Sequence, residues 1–157
     1  MNFNFATDIA GIYRTTAEFP ESAYDMSLVS TDLSGLKSRG GKMVVYHGAS
    51  DGAFSISQTI DWVEKVNAAN GGDATGFMRF YAVPGMGHCR GGPSTSSFDM
   101  LTAVQEWVEE GKVPESVLAT APSGTPWPGR TRPLCTYPKV ARYVGGDVNS
   151  ASSFRCE

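Results

Sequence analysis

From Lys42 to Gly48 the chain reads "KMVVYHG", an apolar run without alternation that glycine stops, a pattern suited to a strand buried on both faces. The reading predicts that strand over about Lys42 to Tyr46. Between Ser57 and Asn70 the period changes: Ile60, Val63, Val66 and Ala69 recur at helical spacing, Ile56 leads in, and "NGG" supplies a C-terminal stop. "GFMRFYAVPG" is a second apolar run, aromatic and branched, ended by Pro84 and Gly85. Beyond it, Ser96 or Ser97 is expected to cap a helix whose stripe is Phe98, Leu101, Val104, Trp107 and Val108, with Gly111 as its stop. The order strand, helix, strand, helix predicts parallel strands, right-handed crossovers and helices packed over the sheet.

The flanks lack such periods. Residues 1 to 40 read as irregular, with turn formers and apolar touches at Ile9, Ile12, Tyr13, Leu28 and Leu33; only "DLSGLKSRGG" suggests a short helix, ended by Gly40 and Gly41. Residues 112 to 157 are rich in proline and read as an extended tail over the surface. Two strands do not make a stable sheet, so the chain is expected to be the closing portion of a larger α/β fold. Internal repeats and low-complexity tracts are absent.

Composition narrows the function classes. A chain of 157 residues, 41% hydrophobic, fits one soluble globular domain. Net charge is −3 and the basic residues are scattered, which argues against a nucleic-acid partner. No run approaches the roughly 20 apolar residues of a membrane span, so no membrane partner is expected. The opening "MNFNFATDIA" lacks the features of a signal peptide; for an exported protein the signal would lie outside this chain. The three cysteines contain no CxxC pair. Cys135 and Cys156 bracket a polar, glycine-rich tail that a disulfide would tie down, contributing roughly 3 kcal/mol in the loop-entropy model, with Cys89 left over. The alternative is three reduced thiols in a cytosolic protein.

In open α/β sheets the working residues lie in loops just past the C-terminal ends of strands. Here the loop after the first strand, "HGASDGAFS", carries Asp51, and the loop after the second, "VPGMGHCRGG", carries His88. One crossover helix and one returning strand separate the two, which places both on the same rim. A carboxylate bonded to one imidazole nitrogen sets the tautomer and leaves the other nitrogen free to take a proton from a nucleophile. Against this stands the bland reading, a surface histidine and a turn-forming Asp-Gly pair. His47, at the end of the first strand, is the rival histidine and reads better as a packing or hydrogen-bonding residue near the rim. Ser50, Ser55 and Ser94 to Ser97 lie nearby, but none sits on a strand-to-helix glycine elbow, and no G-x-S-x-G occurs in the chain. "GGPSTSS" lacks the ending of a phosphate loop. No metal-ligand set is recognisable.

The stretches "GGKMVVYHGASDGAFS", "VPGMGHCRGGP", "FDMLTAVQEWVEEGKVPE" and "GRTRPLCTYPKVARY" closely resemble the C-terminal part of the tannase and feruloyl esterase family. The resemblance covers nearly the whole chain from about Phe3. It implies an α/β-hydrolase fold with a lid domain inserted ahead of this region, and hydrolysis of aromatic-acid esters of the tannin, feruloyl or chlorogenate type. Asp51 then corresponds to the triad acid and His88 to the triad histidine. The resemblance also implies that Cys89 bonds a cysteine before the nucleophilic serine, outside this chain, and that a second bridge lies near the C-terminus. Family members often carry a proline just after the acid, where Gly52 stands here.

These readings together describe residues 1 to 157 as the C-terminal segment of a serine carboxylesterase catalytic domain, supplying Asp and His while the serine and the lid lie elsewhere. No cofactor is expected in this chain; a calcium ion in the lid of the parent is implied by the resemblance. The parent is expected to be secreted or periplasmic, with an aromatic-acid ester as substrate. The segment alone is expected to be inactive, with self-association possible through an exposed sheet edge. The competing readings are a non-catalytic binding module, or a chain complemented in trans by a serine-bearing partner.

Overall fold

In the computed structural model, which describes residues 3–22 and 30–157, the two apolar runs pair as parallel strands. Strand β1 is Met43–Gly48 and β2 is Met78–Val83, in register from Met43 opposite Met78 to Gly48 opposite Val83. Strand β1 therefore runs past Tyr46 and includes His47, because the ladder continues to the point where glycine lets the chain turn. Between the strands lies the expected amphipathic helix, Ile56–Ala69, capped by the Ser55 hydroxyl on the Ser57 N–H. The short helix read from "DLSGLKSRGG" is present at Ser34–Lys37.

Strand β2 is buried on both faces, as its unalternating run implies. Met78 and Phe80 pack with Phe77 and Ala74 and with Val63 and Val66 of the crossover helix, and Met43, Val45 and Ile60 close that cluster. On the other face Tyr81 and Val83 pack with Met86, Met100, Val117, Ala119 and Leu134. Each such side chain taken from water contributes roughly 1.5–3 kcal/mol before the entropy of ordering is counted.

The second helix differs from its sequence reading. It is Met100–Glu110, and its cap is Asp99, whose carboxylate accepts the Thr102 N–H at 2.9 Å, rather than Ser96 or Ser97. Ser97 instead bridges to Thr120, and the Ser94 hydroxyl donates to the Gly91 carbonyl. The buried stripe is narrower than expected: Met100 and Trp107 are buried, whereas Leu101 is 76% and Val108 58% exposed. Gly111 ends the helix in the left-handed conformation, as expected.

The stretch read as an extended tail carries four short strands. Strand β3, Ser116–Thr120, pairs antiparallel with β4, Thr131–Cys135, and β5, Ala141–Tyr143, pairs antiparallel with β6, Phe154–Cys156. In "SVLAT" only Val117 and Ala119 turn inward, a period-two signal too short to stand out from its proline-rich surroundings. A disulfide joins Cys135 to Cys156, with Cα atoms 5.5 Å apart, and ties β4 to the last strand.

Residues up to Ser30 form a unit of their own. Where irregular chain was expected, Phe5–Asp8 makes a single helical turn, capped by the Asn4 side chain on the Ala6 N–H, followed by a 3-10 stretch at Ile9–Tyr13. None of these residues is buried. Leu28, one of the apolar touches, lies outside the described residues. Among the described residues no helix is long and apolar enough to cross a membrane.

Candidate active site

The loops after β1 and β2 lie against each other because glycine permits it. A Cβ on Gly48 would collide with the carbonyl oxygens of Met86 and Gly87, so any other residue there would force the loops apart. Across this contact the Ala49 N–H donates to Val83 and the Ser50 N–H to Met86, both at 2.9 Å. In the second loop Gly85 and Gly92 meet backbone to backbone with φ of 71° and 76°, a conformation and a closeness that exclude a side chain. Folded on itself in this way, the loop projects His88 from its tip.

His88 and Asp51, 37 residues apart in the chain, meet there: His88 Nδ1 lies 2.9 Å from Asp51 Oδ2. The Asp51 side chain is only 5% exposed and its two oxygens face four nitrogens. Oδ1 accepts the backbone N–H groups of Ala53 at 2.8 Å and Phe54 at 3.0 Å, a turn closed by the carboxylate. Oδ2 faces the imidazoles of His88 at 2.9 Å and His47 at 3.3 Å. The hydrogen bond from His88, reinforced by the N–H groups of Phe54 and Ala53, holds the Asp51 carboxyl well below the usual carboxylate range. An ionised acceptor requires a proton on His88 Nδ1, which leaves Nε2 as the basic nitrogen of the neutral ring. The His88 side chain is 53% exposed, and Nε2 has no protein partner among the described residues.

Of the two roles the sequence left open for His47, packing or hydrogen bonding near the rim, the structure shows the second: Nδ1 lies 2.7 Å from the Thr59 hydroxyl and Nε2 lies 3.2 Å from the Phe54 carbonyl. Thr59 and the contact with Asp51 were not read from the sequence. The available signals were the four-residue step from His47 to Asp51 and a hydroxyl in the first turn of the following helix. Phe54 was also missed; its exposed ring stands 5.4 Å from the His88 imidazole, centroid to centroid.

Cys89 is free and exposed, and among the described residues it is the one non-glycine residue with positive φ, 62°. That conformation costs of order 1–3 kcal/mol and is held by the tight loop around it. Ser55 is occupied as a helix cap, and Ser94 is buried against Gly91. Among the described residues no three His, Cys, Asp or Glu side chains cluster so as to hold a metal ion.

Comparison with known proteins bears on the family of the chain. The family described as tannase and feruloyl esterase matches residues 3–157. The mono(2-hydroxyethyl) terephthalate hydrolase of Piscinibacter sakaiensis is 48% identical over 162 aligned residues, covering 99% of this chain and 26% of that protein. The tannase of Aspergillus oryzae is 31% identical over 137, covering 80% of this chain and 22% of that protein. Among solved structures, an esterase from Aspergillus oryzae superposes with a TM-score of 0.69 at 27% identity, covering 82% of this chain and 29% of that one. The feruloyl esterase B of the same organism gives 0.67 at 29% identity, with the same coverage. The chain thus spans about a quarter of the length of these relatives. With four sequence stretches, the parallel strand pair and a match over residues 3–157 in agreement, the chain belongs to the tannase and feruloyl esterase family.

Proposed function

We propose that this chain supplies the acid and base of a serine carboxylesterase acting on esters of aromatic acids, the nucleophilic serine coming from residues other than these 157. The observation that carries the reading is the 2.9 Å contact between His88 Nδ1 and the buried carboxylate of Asp51. In this scheme the serine hydroxyl passes its proton to His88 Nε2 as Oγ attacks the ester carbonyl. Asp51 orients the ring and stabilises the imidazolium. The proton then goes from Nε2 to the departing alcohol, leaving an acyl-enzyme. Water, deprotonated by the same nitrogen, attacks the acyl carbon, releasing the acid and returning the serine.

Support for the ester class comes from the relatives, one of which is named for a terephthalate ester and another as a tannase. Phe54, an exposed ring beside His88, offers an aromatic surface at the reacting position. Cys89, held at the loop tip next to His88, fits a bridge that would fix the serine segment beside the histidine. The disulfide between Cys135 and Cys156 favours an oxidising compartment, hence secretion or a periplasmic location.

The test is reconstitution. Incubated alone with a fluorophosphonate probe and a p-nitrophenyl ester, the 157-residue chain is expected to show no labelled serine and no hydrolysis above background. Mixed with a serine-bearing segment of a relative, it should gain hydrolysis that His88→Ala abolishes. Stoichiometric labelling of a serine within the chain, or restored activity indifferent to His88, would overturn the proposal.

A further inference from the structure

Asp51 has one partner that the triad does not account for. The imidazole of His47 lies on the same oxygen as His88, 3.3 Å from Oδ2, with its side chain only 13% exposed. Its Nε2 also lies 3.2 Å from the Phe54 carbonyl oxygen, so that nitrogen faces two acceptors and must carry the proton. In the neutral ring Nδ1 is then an acceptor. The group opposite it, 2.7 Å away, is the Thr59 hydroxyl, which can donate. The hydrogen bonds therefore run one way, from Thr59 Oγ1 to His47 Nδ1 and from His47 Nε2 to the Phe54 carbonyl, with Asp51 Oδ2 a close electrostatic neighbour of the same N–H.

We propose that His47, its ring held in place by the Thr59 hydroxyl on Nδ1, is a positioning residue that keeps Oδ2 of Asp51 turned toward His88. The inference deepens the acid–base reading above and rests on it for its functional meaning. Two backbone N–H groups already hold Oδ1. Rotation of a carboxylate about its last torsion is soft, with a broad two-fold preference, and it moves both oxygens together, so a restraint on Oδ2 adds directly to the one on Oδ1. The Nε2–H of His47, 3.3 Å from Oδ2, adds that restraint electrostatically. The Asp51 side chain is only 5% exposed, which leaves little room for water to compete for the carboxylate. The three elements that carry this arrangement are the end of β1, the loop that returns from it, and the first turn of the crossover helix that bears Thr59. The orientation is thereby built into the crossover itself.

The chain contains only two histidines, which makes the test direct. In the uniformly 15N-labelled 157-residue chain, long-range 1H–15N correlation spectra resolve the tautomer of each ring, and His88→Ala assigns them. The wild-type chain is expected to show His47 as the Nε2–H form and His88 as the Nδ1–H form. Thr59→Val removes the bond to Nδ1 that holds the ring and should raise the Nε2–H share of His88. His47→Phe should raise the Nε2–H share of His88 severalfold, while His47→Gln, which keeps a donor facing Oδ2, should restore the Nδ1–H form. Circular dichroism of each variant separates local change from unfolding, and Thr59→Val keeps the test open if His47→Phe does not fold. An Nδ1–H tautomer for His47, or a His88 tautomer indifferent to both His47→Phe and Thr59→Val, would overturn the proposal. In reconstituted enzyme His47→Phe should lower kcat with KM little changed, and His47→Gln should recover it. Correct tautomers without His88-dependent activity would instead count against the esterase reading and leave the hydrogen-bond chain standing.

Discussion

Replacing Gly48 by alanine tests how closely the two loops must approach for the site to exist. The added Cβ would sit about 1 Å inside van der Waals contact with the carbonyl oxygens of Met86 and Gly87. Both obstacles are backbone, so relief requires the loop carrying His88 to retreat or β1 to bow. Overpacking of this kind costs about 1–3 kcal/mol. With a urea m-value of about 2 kcal/mol/M, the unfolding midpoint should fall by about 0.5–1.5 M. The effect on the site is larger in proportion. His88 Nδ1 and Asp51 Oδ2 are 2.9 Å apart, and a retreat of about 0.7 Å takes them beyond a useful hydrogen bond. The readouts are urea unfolding followed by fluorescence, and the His88 tautomer from 15N correlation spectra. Gly52→Ala is the control, since a Cβ there meets nothing within 4 Å. A Gly48→Ala chain with a wild-type midpoint and an unchanged Nδ1–H His88 would refute the claim that this contact sets the geometry of the pair.

Three further predictions follow from the ionisable groups and the disulfide. Because the folded state lowers the Asp51 pKa, its stabilising contribution is complete above the unfolded value near 4 and is lost as pH falls through the lower folded value. The stability gap between wild type and Asp51→Asn should therefore be flat above about pH 5 and shrink in acid; a gap that widens toward pH 3 in urea titrations would contradict the assignment. Burial raises the Tyr81 phenol, whose hydroxyl donates to the Pro114 carbonyl. That contribution is complete below about pH 10 and is lost as pH rises toward the folded value. Burial shifts Tyr137 in the same direction, so at pH 11 the native chain should show less tyrosinate absorbance at 295 nm than the chain in urea, and the deficit should shrink in Tyr81→Phe. Closing a loop of 21 residues between Cys135 and Cys156 should stabilise the fold by about 3 kcal/mol in the loop-entropy model, so Cys135→Ser with Cys156→Ser should lose that amount in urea unfolding. A loss under about 1 kcal/mol would show that the reduced tail keeps its structure.

Local patterns carried much of the architecture. The runs around Val44 and Phe80 specified two strands, of which β2 is buried on both faces while β1 is half-buried with Tyr46 exposed, contrary to the burial expected of its apolar run, and the spacing of Ile60, Val63 and Val66 specified the helix between them. That order of elements sufficed to bring Asp51 and His88 to one rim, because a right-handed crossover leaves few other places for them. Cysteine spacing pointed to the bridge between Cys135 and Cys156. Competition between neighbours for a shared role was not legible. Asp99 outcompeted Ser96 and Ser97 as a cap, and Leu101 and Val108 stayed exposed because the described core reaches only Met100 and Trp107. The strands after residue 112 were hidden because ladders of three to five residues draw their stability from partners distant in sequence, such as Cys135 opposite Ser116. The same holds for His47. Its residue type shows that it can donate or accept, but only the folded chain, by setting Thr59 on one nitrogen and Asp51 on the other, decides which nitrogen holds the proton.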